Sequence, residues 1–189
     1  PVQSGDSDVL KRMNRGYTRE WYLDRIAAIR RIMPDCAIST DIIAGFCGKT
    51  LEQHEGTLSM MNEVRYEMAY MFKYSERPRT LAERKFEDDV PEEEKSRRLA
   101  EIIALQKVHS KERTTVQFGK TYRVLVEGPS KRNPEDFQGR NTYNSVVVFP
   151  KGESKAGDYV YVRTTSHTPV TLIGELVSEA EAKAEGYIA

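Results

Sequence analysis

The chain has 189 residues, of which 29 are basic and 29 are acidic, so its formal net charge at pH 7 is zero. This length accommodates one large domain or two smaller ones, and it is sufficient to bury a hydrophobic core. The balance of charge excludes a global electrostatic attraction to nucleic acid, so any RNA-binding surface must come from local clusters of basic residues.

The cysteine content and the absence of long apolar runs set further limits. Cys36 and Cys47 are the two cysteines, and their spacing differs from CxxC, which argues against a disulfide framework and a self-contained metal site. We therefore expect buried thiols without a chemical role and no metal ligands. No run of about 18 apolar residues is present to span a bilayer, and the chain opens on Pro1. We expect a cytoplasmic protein with no membrane partner, and a chain that is part of a longer one.

The first half of the chain alternates between helical and extended patterns. Thr18 is predicted to cap a helix that ends before Pro34, because apolar residues recur between them at helical spacing. Short apolar segments at residues 36–43 and 68–74 predict strands. Between them, Thr50 begins a second helix with the spacing of a capping box. The inner stripe predicted for this helix consists of Leu51, His54, Leu58 and Met61. Such alternation is typical of a parallel α/β fold.

The second half begins with a long helix and then changes to short strands. Pro91 is placed in a first helical turn, and the helical pattern continues to about residue 112. Beyond it the period changes from 3.6 to 2, which indicates a small all-β unit with a boundary near residue 116. The predicted strands are residues 122–126, 145–149, 158–162 and 170–176. The tail from Ser178 is expected to be either a frayed helix or disordered.

Three segments are candidates for function, and each also has a purely structural explanation. The first is residues 41–48, where an acidic strand opens into the turn between Gly45 and Gly48. Ligands of α/β barrels bind at this end of the strands, and glycines admit a flat group close to the backbone. The alternative is that these glycines serve only the turn.

The second candidate is residues 72–80, where aromatic and basic side chains follow the next strand. These side chains can stack on bases and neutralise phosphates. The alternative is that the segment is an ordinary strand followed by a solvated loop. The third comprises two turns of the all-β unit, residues 128–133 and 139–144, which carry basic and amide side chains. These side chains can bind phosphates and base edges of RNA. The alternative is that they only keep the surface soluble.

Ordered blocks along the chain resemble the radical-SAM methylthiotransferases. The blocks are residues 1–5, 13–17, 39–46, 71–78 and 127–132, the last reading Glu-Gly-Pro-Ser-Lys-Arg. That last block, with the Gly-Arg pair at 139–140, Asn144 and the strand at 146–149, is most similar to the tRNA branch of the family, whose last domain is a TRAM module. A series of blocks in order is far more specific than any single motif.

The resemblance implies an α/β plus all-β architecture. Residues 1–115 are expected to form the C-terminal half of a radical-SAM (β/α)6 partial barrel, with strands four to six. Residues 116–178 are expected to form a small antiparallel β-barrel, the TRAM domain, and residues 179–189 a tail. The family also has an upstream domain and cysteines for two [4Fe-4S] clusters, and those ligands are absent from this chain. Alone, the chain is expected to be inactive.

The activity implied is conversion of N6-isopentenyladenosine beside the tRNA anticodon to its 2-methylthio derivative, with S-adenosylmethionine (SAM) as cofactor. The expected partners are the tRNA anticodon stem-loop and the missing N-terminal part of the same enzyme, and the parent is expected to be monomeric. No catalytic residue is assigned to this segment. The SAM contacts implied are Gln3, Asp41, Gly45 and Phe72. The tRNA contacts implied are Arg15, Arg77, Lys131, Arg132, Arg140 and Asn144.

The chain departs from the family pattern at three positions near the expected site. Cys47 stands where the family commonly has proline, Lys49 replaces a glutamate of the same turn, and Arg79 replaces the glycine of an Arg-Pro-Gly-Thr segment. Two alternatives to the implied function stay open. One is a methylthiotransferase for threonylcarbamoyladenosine or for a ribosomal protein, and the other is a non-catalytic RNA-binding module.

Overall fold

The computed structural model describes residues 1–189, which divide into two compact units, Pro1–His109 and Ser110–Ala189. The helices are α1 (Ser7–Arg12), α2 (Arg19–Ile32), α3 (Leu51–Val64), α4 (Leu81–Lys85), α5 (Glu92–Gln117) and α6 (Glu179–Glu185). The strands are β1 (Ser39–Ala44), β2 (Met68–Lys73), β3 (Thr121–Pro129), β4 (Asp136–Arg140), β5 (Val146–Pro150), β6 (Tyr159–His167) and β7 (Thr171–Val177). None of the helices combines the length and apolar composition needed to cross a bilayer.

The first unit is built around parallel strands. β1 and β2 pair in parallel and are connected through α3, as the alternating pattern predicts. Gln3 forms an isolated parallel bridge with Ile42 of β1, so a third extended segment lies alongside this strand. Helical side chains cover one face of this sheet, and the fully buried residues there include Ile42, Met60, Met61 and Tyr66. This packing leaves the other face of the sheet available for a site.

The predicted helix starts at Thr18 and Thr50 are confirmed, whereas α5 begins just after Pro91 and continues to Gln117, beyond the predicted end near residue 112. One predicted core position is wrong. The Thr18 side chain accepts from the backbone N–H of Trp21, and Thr50 forms a capping box with Gln53. Leu51, predicted to face the core, is 52% exposed because the first residue after the cap projects to solvent. The first strand was predicted at residues 36–43, but β1 begins three residues later, at Ser39. This residue pairs with Met68, the first residue of β2.

The second unit is a closed five-stranded barrel with the order β3-β4-β5-β7-β6. The prediction of an antiparallel barrel needs one correction, because β5 and β7 pair in parallel. Around a closed ring with an odd number of strands, directions cannot alternate at every contact, so one parallel pair is required. The interior is filled by alternate residues of the strands, chiefly Tyr122, Val124, Val147, Phe149, Val162 and Leu172.

One strand of the second unit was not predicted, and of the two alternatives for the tail the helix is present and capped, while disorder is wrong. No strand was predicted at β4, because Phe137 is its only large apolar residue, and its last two residues fall in a segment predicted as a turn. Pairing with β3 and β5 makes it a strand. The tail forms α6, which begins with a capping box between Ser178 and Glu181, and Ala182 is fully buried. Ile188 then bridges to Tyr122. The tail is therefore an ordered part of this unit.

Candidate functional site

An open cavity of about 420 Å³ lies where β1 and β2 end in the first unit. Five predicted site residues line it: Gln3, Arg15, Asp41, Phe72 and Arg77. The sequence places them in four separate segments, and the parallel register of the strands brings them together. A cavity of this volume is in the range that small-molecule cofactors occupy. Arg15 and Arg77 are exposed, so they contribute cationic groups at its rim.

Gln3 is held at the cavity by an unusual backbone conformation. Its φ angle is 65°, in the left-handed region that non-glycine residues rarely adopt. Its N–H donates to the carbonyl of Asp41 at 2.9 Å, and its carbonyl accepts from the N–H of Ile43 at 2.9 Å. These two hydrogen bonds hold the strained conformation in place. Backbone strain of this kind concentrates at functional sites, which supports a binding role for this segment.

The sheet face that lines the cavity carries exposed aromatic rings. Asp41 pairs with Tyr70, and Ile43 pairs with Phe72, so these four residues project from the same face. Tyr70 is 53% exposed and Phe72 is 54% exposed. An exposed ring beside a carboxylate suits a ligand with a flat ring and polar substituents. Tyr70 shares this face with Phe72 but is not among the residues that line the cavity.

Gly45 is not among the residues that line the cavity, and packing explains why glycine is present. Its φ angle is +68°, and a Cβ atom there would lie 2.4 Å from Cγ of Lys95. The position therefore requires glycine for backbone conformation and for close approach of α5. A SAM contact by Gly45 stays a prediction.

Cys47 lies beside an aromatic cluster and away from any group of metal ligands. It is 2% exposed, and burial raises the pKa of its thiol, so it stays protonated. Phe46 packs against Tyr74 edge to face with ring centroids 5.0 Å apart. Cys36 is only half-buried. No group of three or more His, Cys, Asp or Glu side chains is arranged to hold a metal ion.

The other two departures from the family pattern have distinct structural effects. Arg79 has a φ angle of 68°, a conformation that favours the glycine of the family pattern. Lys49 is 2% exposed, and its Nζ donates to Oγ1 of Thr57 at 2.7 Å. Burial, followed by the nearby charge of Arg98, lowers the pKa of Lys49 to about 7. The amine of Lys49 is therefore held in a poorly solvated environment, where the Thr57 hydroxyl that it contacts also accepts from the N–H of Gly5.

The basic residues predicted in the second unit fall into two separate groups. Lys131 and Arg132 line a cavity of about 310 Å³ on the outside of the barrel. Arg140 is at the end of β4, where its Nη1 donates to the carbonyl of Asn144 at 2.8 Å and its Nε is 3.4 Å from Glu127 Oε1. Arg140 and Asn144 thus stabilise their own turn, while Lys131 and Arg132 are exposed to solvent.

Relatives among known proteins match the chain across both units. Residues 115–177 match the TRAM domain family. The chain is 56% identical over 177 residues to the tRNA-2-methylthio-N(6)-dimethylallyladenosine synthase of Phocaeicola vulgatus, covering 94% of this chain and 39% of that protein. The enzymes of the same name are 57% identical in Amoebophilus asiaticus (93% of this chain, 36% of that protein) and 56% identical in Chlorobium phaeobacteroides (92% and 39%). The chain thus spans less than two-fifths of the length of these curated relatives.

Proposed function

We propose that this chain is the SAM- and tRNA-contacting part of a tRNA-2-methylthio-N(6)-dimethylallyladenosine synthase, because 94% of its length is similar to such an enzyme and residues 115–177 match the TRAM domain family. The reaction of the whole enzyme would convert N6-isopentenyladenosine beside the anticodon to its 2-methylthio derivative. The identity of 56%, which extends through both units, is the observation that carries this proposal. The relatives' names favour it over the threonylcarbamoyladenosine and ribosomal-protein branches, and over a non-catalytic RNA-binding module.

The first unit, with residues up to about 115, is proposed to be the C-terminal half of a radical-SAM partial barrel. The parallel arrangement of Gln3, β1 and β2 supports strands four to six of that barrel. The barrel of residues 116–178 would bind tRNA, and the remaining part of the longer protein would be its other partner. We further propose that the whole enzyme is monomeric and works in the cytoplasm, where two free thiols suit the reducing conditions.

The cavity at the ends of β1 and β2 fits SAM by the chemistry of its lining. Phe72 presents an exposed ring for stacking against adenine, and Asp41 and Gln3 supply polar groups for hydroxyl and amine groups. SAM, when bound, supplies the methyl group and the radical that abstracts hydrogen from the adenosine. Arg15 and Arg77 at the rim would orient the RNA by its phosphates. Both are positioning roles, and we propose no catalytic residue in this segment.

The residues present do not fit an iron–sulfur cluster. Cys36 and Cys47 are the only cysteines, and no three-ligand group is formed. We therefore propose that the ligands of both [4Fe-4S] clusters lie in the part of the enzyme that this chain does not include. The chain's contribution would be to bind and orient the reactants.

A chimeric enzyme tests the proposal. The corresponding segment of the Phocaeicola vulgatus synthase would be replaced by this chain and expressed in cells that lack the modification. Mass spectrometry of digested tRNA is expected to detect 2-methylthio-N6-isopentenyladenosine. Asp41→Asn in the chimera is expected to lower its level at least about tenfold, because a lost hydrogen bond to a charged group costs roughly 1.5–3 kcal/mol. The exposed Asp35→Asn serves as the matched control. A folded chimera that yields no product would contradict the proposal.

A further inference from the structure

The outer surface of the TRAM barrel carries an apolar patch that the fold does not require. Val147 and Leu172 point into the barrel and are fully buried, so Val146, Val148 and Ile173 lie on the outside. Register places Val148 directly opposite Ile173 on the neighbouring strand. Ile173 is 38% exposed. An outward face of a small barrel is normally polar, so three adjacent aliphatic side chains there indicate a binding surface.

The patch is the floor of a cavity with ordered polar walls. One wall is the loop after β3, where the N–H of Ser130 donates to the carbonyl of Asp136 at 2.8 Å and the side chain of Asn133 donates to the Asp136 carboxylate at 2.9 Å. The other wall is the turn before β7, where the N–H of Thr168 donates to the carbonyl of Thr171 at 2.8 Å. The cavity volume is about 310 Å³. Because both walls are fixed by internal hydrogen bonds, the cavity is formed before any ligand binds.

The chemistry of the lining matches a nucleobase attached to a charged backbone. The aliphatic floor can cover one face of a flat ring, while Asp136 and Gln138 at the side offer a carboxylate and an amide to the ring's polar edge. Lys131 and Arg132 lie at the rim, where they complement phosphates on either side of an inserted base. An apolar peptide would match the floor but not these two cations.

We propose that this cavity receives a single unpaired base of the bound RNA, with Val146, Val148 and Ile173 under the ring and Lys131 and Arg132 on the flanking phosphates. This inference rests on the proposed function, because it assumes that the barrel binds RNA. It adds a contact with a base to a surface that would otherwise hold the RNA only by its backbone. The contact would fix the register of the RNA on the barrel.

The test combines variants of the floor with removal of single bases from the RNA. Full-length chain would be titrated with a fluorescent anticodon stem-loop and with versions in which each loop nucleotide in turn is abasic. Val148→Gln is expected to weaken binding of the intact RNA about five- to tenfold, through loss of apolar contact. One abasic RNA is expected to bind the native chain as weakly and to show no further loss with Val148→Gln. Ile173→Gln is a second variant of the floor, and the 64% exposed Val116→Gln is the matched control outside the cavity.

The outcomes separate this inference from the proposed function. If the native chain binds the stem-loop but folded Val148→Gln and Ile173→Gln bind equally well, the base site is overturned and the RNA-binding function stands. A second outcome also overturns the inference. If Val148→Gln weakens binding by the same factor for the intact RNA and for every abasic RNA, no base occupies the cavity. If the native chain does not bind the stem-loop, both proposals fall. Coupling between one abasic position and Val148→Gln supports the inference.

Discussion

Lys49→Met is expected to stabilise the protein by on the order of 3 kcal/mol at pH 6. The side chain of Lys49 is buried, and its pKa is lowered to about 7 mainly by loss of solvation. An unfolded lysine titrates near 10.4, so the folded state holds the protonated ammonium at a cost of several kcal/mol. Methionine has a similar length and no charge, and the hydrogen bond it forfeits to Thr57 offsets about 1 kcal/mol of the gain.

The stabilisation should depend on pH with a defined sign. Between pH 7 and about 10.4 the unfolded state binds more protons at Lys49 than the folded state, so the native protein gains stability as pH rises through this window. The advantage of Lys49→Met should therefore be largest below pH 7 and nearly absent at pH 10. Urea denaturation at pH 6, 7, 8, 9 and 10 measures it. The exposed Lys11→Met is the control, and an equal advantage for Lys49→Met at every pH would contradict this account.

Gly5→Ala is expected to destabilise the first unit by about 3 kcal/mol. A Cβ atom at Gly5 would lie 2.4 Å from the carbonyl oxygen of Gly56 and 2.6 Å from Cα of Thr57. Both are backbone atoms of α3, so neither can move aside as a flexible side chain would. The N–H of Gly5 also donates to Oγ1 of Thr57 at 3.1 Å. Displacement of this loop would break that hydrogen bond and move Gln3 at the cavity.

Gly16→Ala is the matched control for this prediction. It is also a loop glycine of the first unit, and a Cβ atom there would meet nothing within 4 Å. Thermal unfolding of both variants is expected to show a large decrease for Gly5→Ala and almost none for Gly16→Ala. Equal midpoints for Gly5→Ala and the native chain would show that the close approach of this loop to α3 does not hold in solution.

The alternation of elements could be predicted from sequence because it depends on local pattern. Helix starts at Thr18 and Thr50 follow from capping chemistry, and both are present. The ordered tail was less accessible, since Ala182 carries little apolar signal and becomes buried only when α6 packs. β4 was missed for a related reason: its strand character comes from two partners and not from its own residues.

For the candidate site, too, single residues could be predicted from sequence, whereas their proximity in space could not. Gln3, Asp41 and Phe72 were identified through family blocks, and only the strand register explains why they share one cavity. The left-handed backbone conformation of Gln3 could not be predicted from composition or residue spacing. The apolar floor formed by Val148 and Ile173 was likewise invisible, because valine and isoleucine are expected in any strand and the sequence does not say which face they occupy.

Affinity for the tRNA anticodon stem-loop as a function of salt tests the central claim most directly. Between 50 and 200 mM salt the native chain is expected to lose affinity steeply, because each phosphate contact releases counterions. Lys131→Ala/Arg132→Ala should weaken binding about tenfold and lower the slope of log affinity against log salt by roughly two. The double control Lys120→Ala/Lys155→Ala removes two exposed cations elsewhere on the same unit and should change little. Binding that is independent of salt, or unaffected by loss of Lys131 and Arg132, would contradict the account.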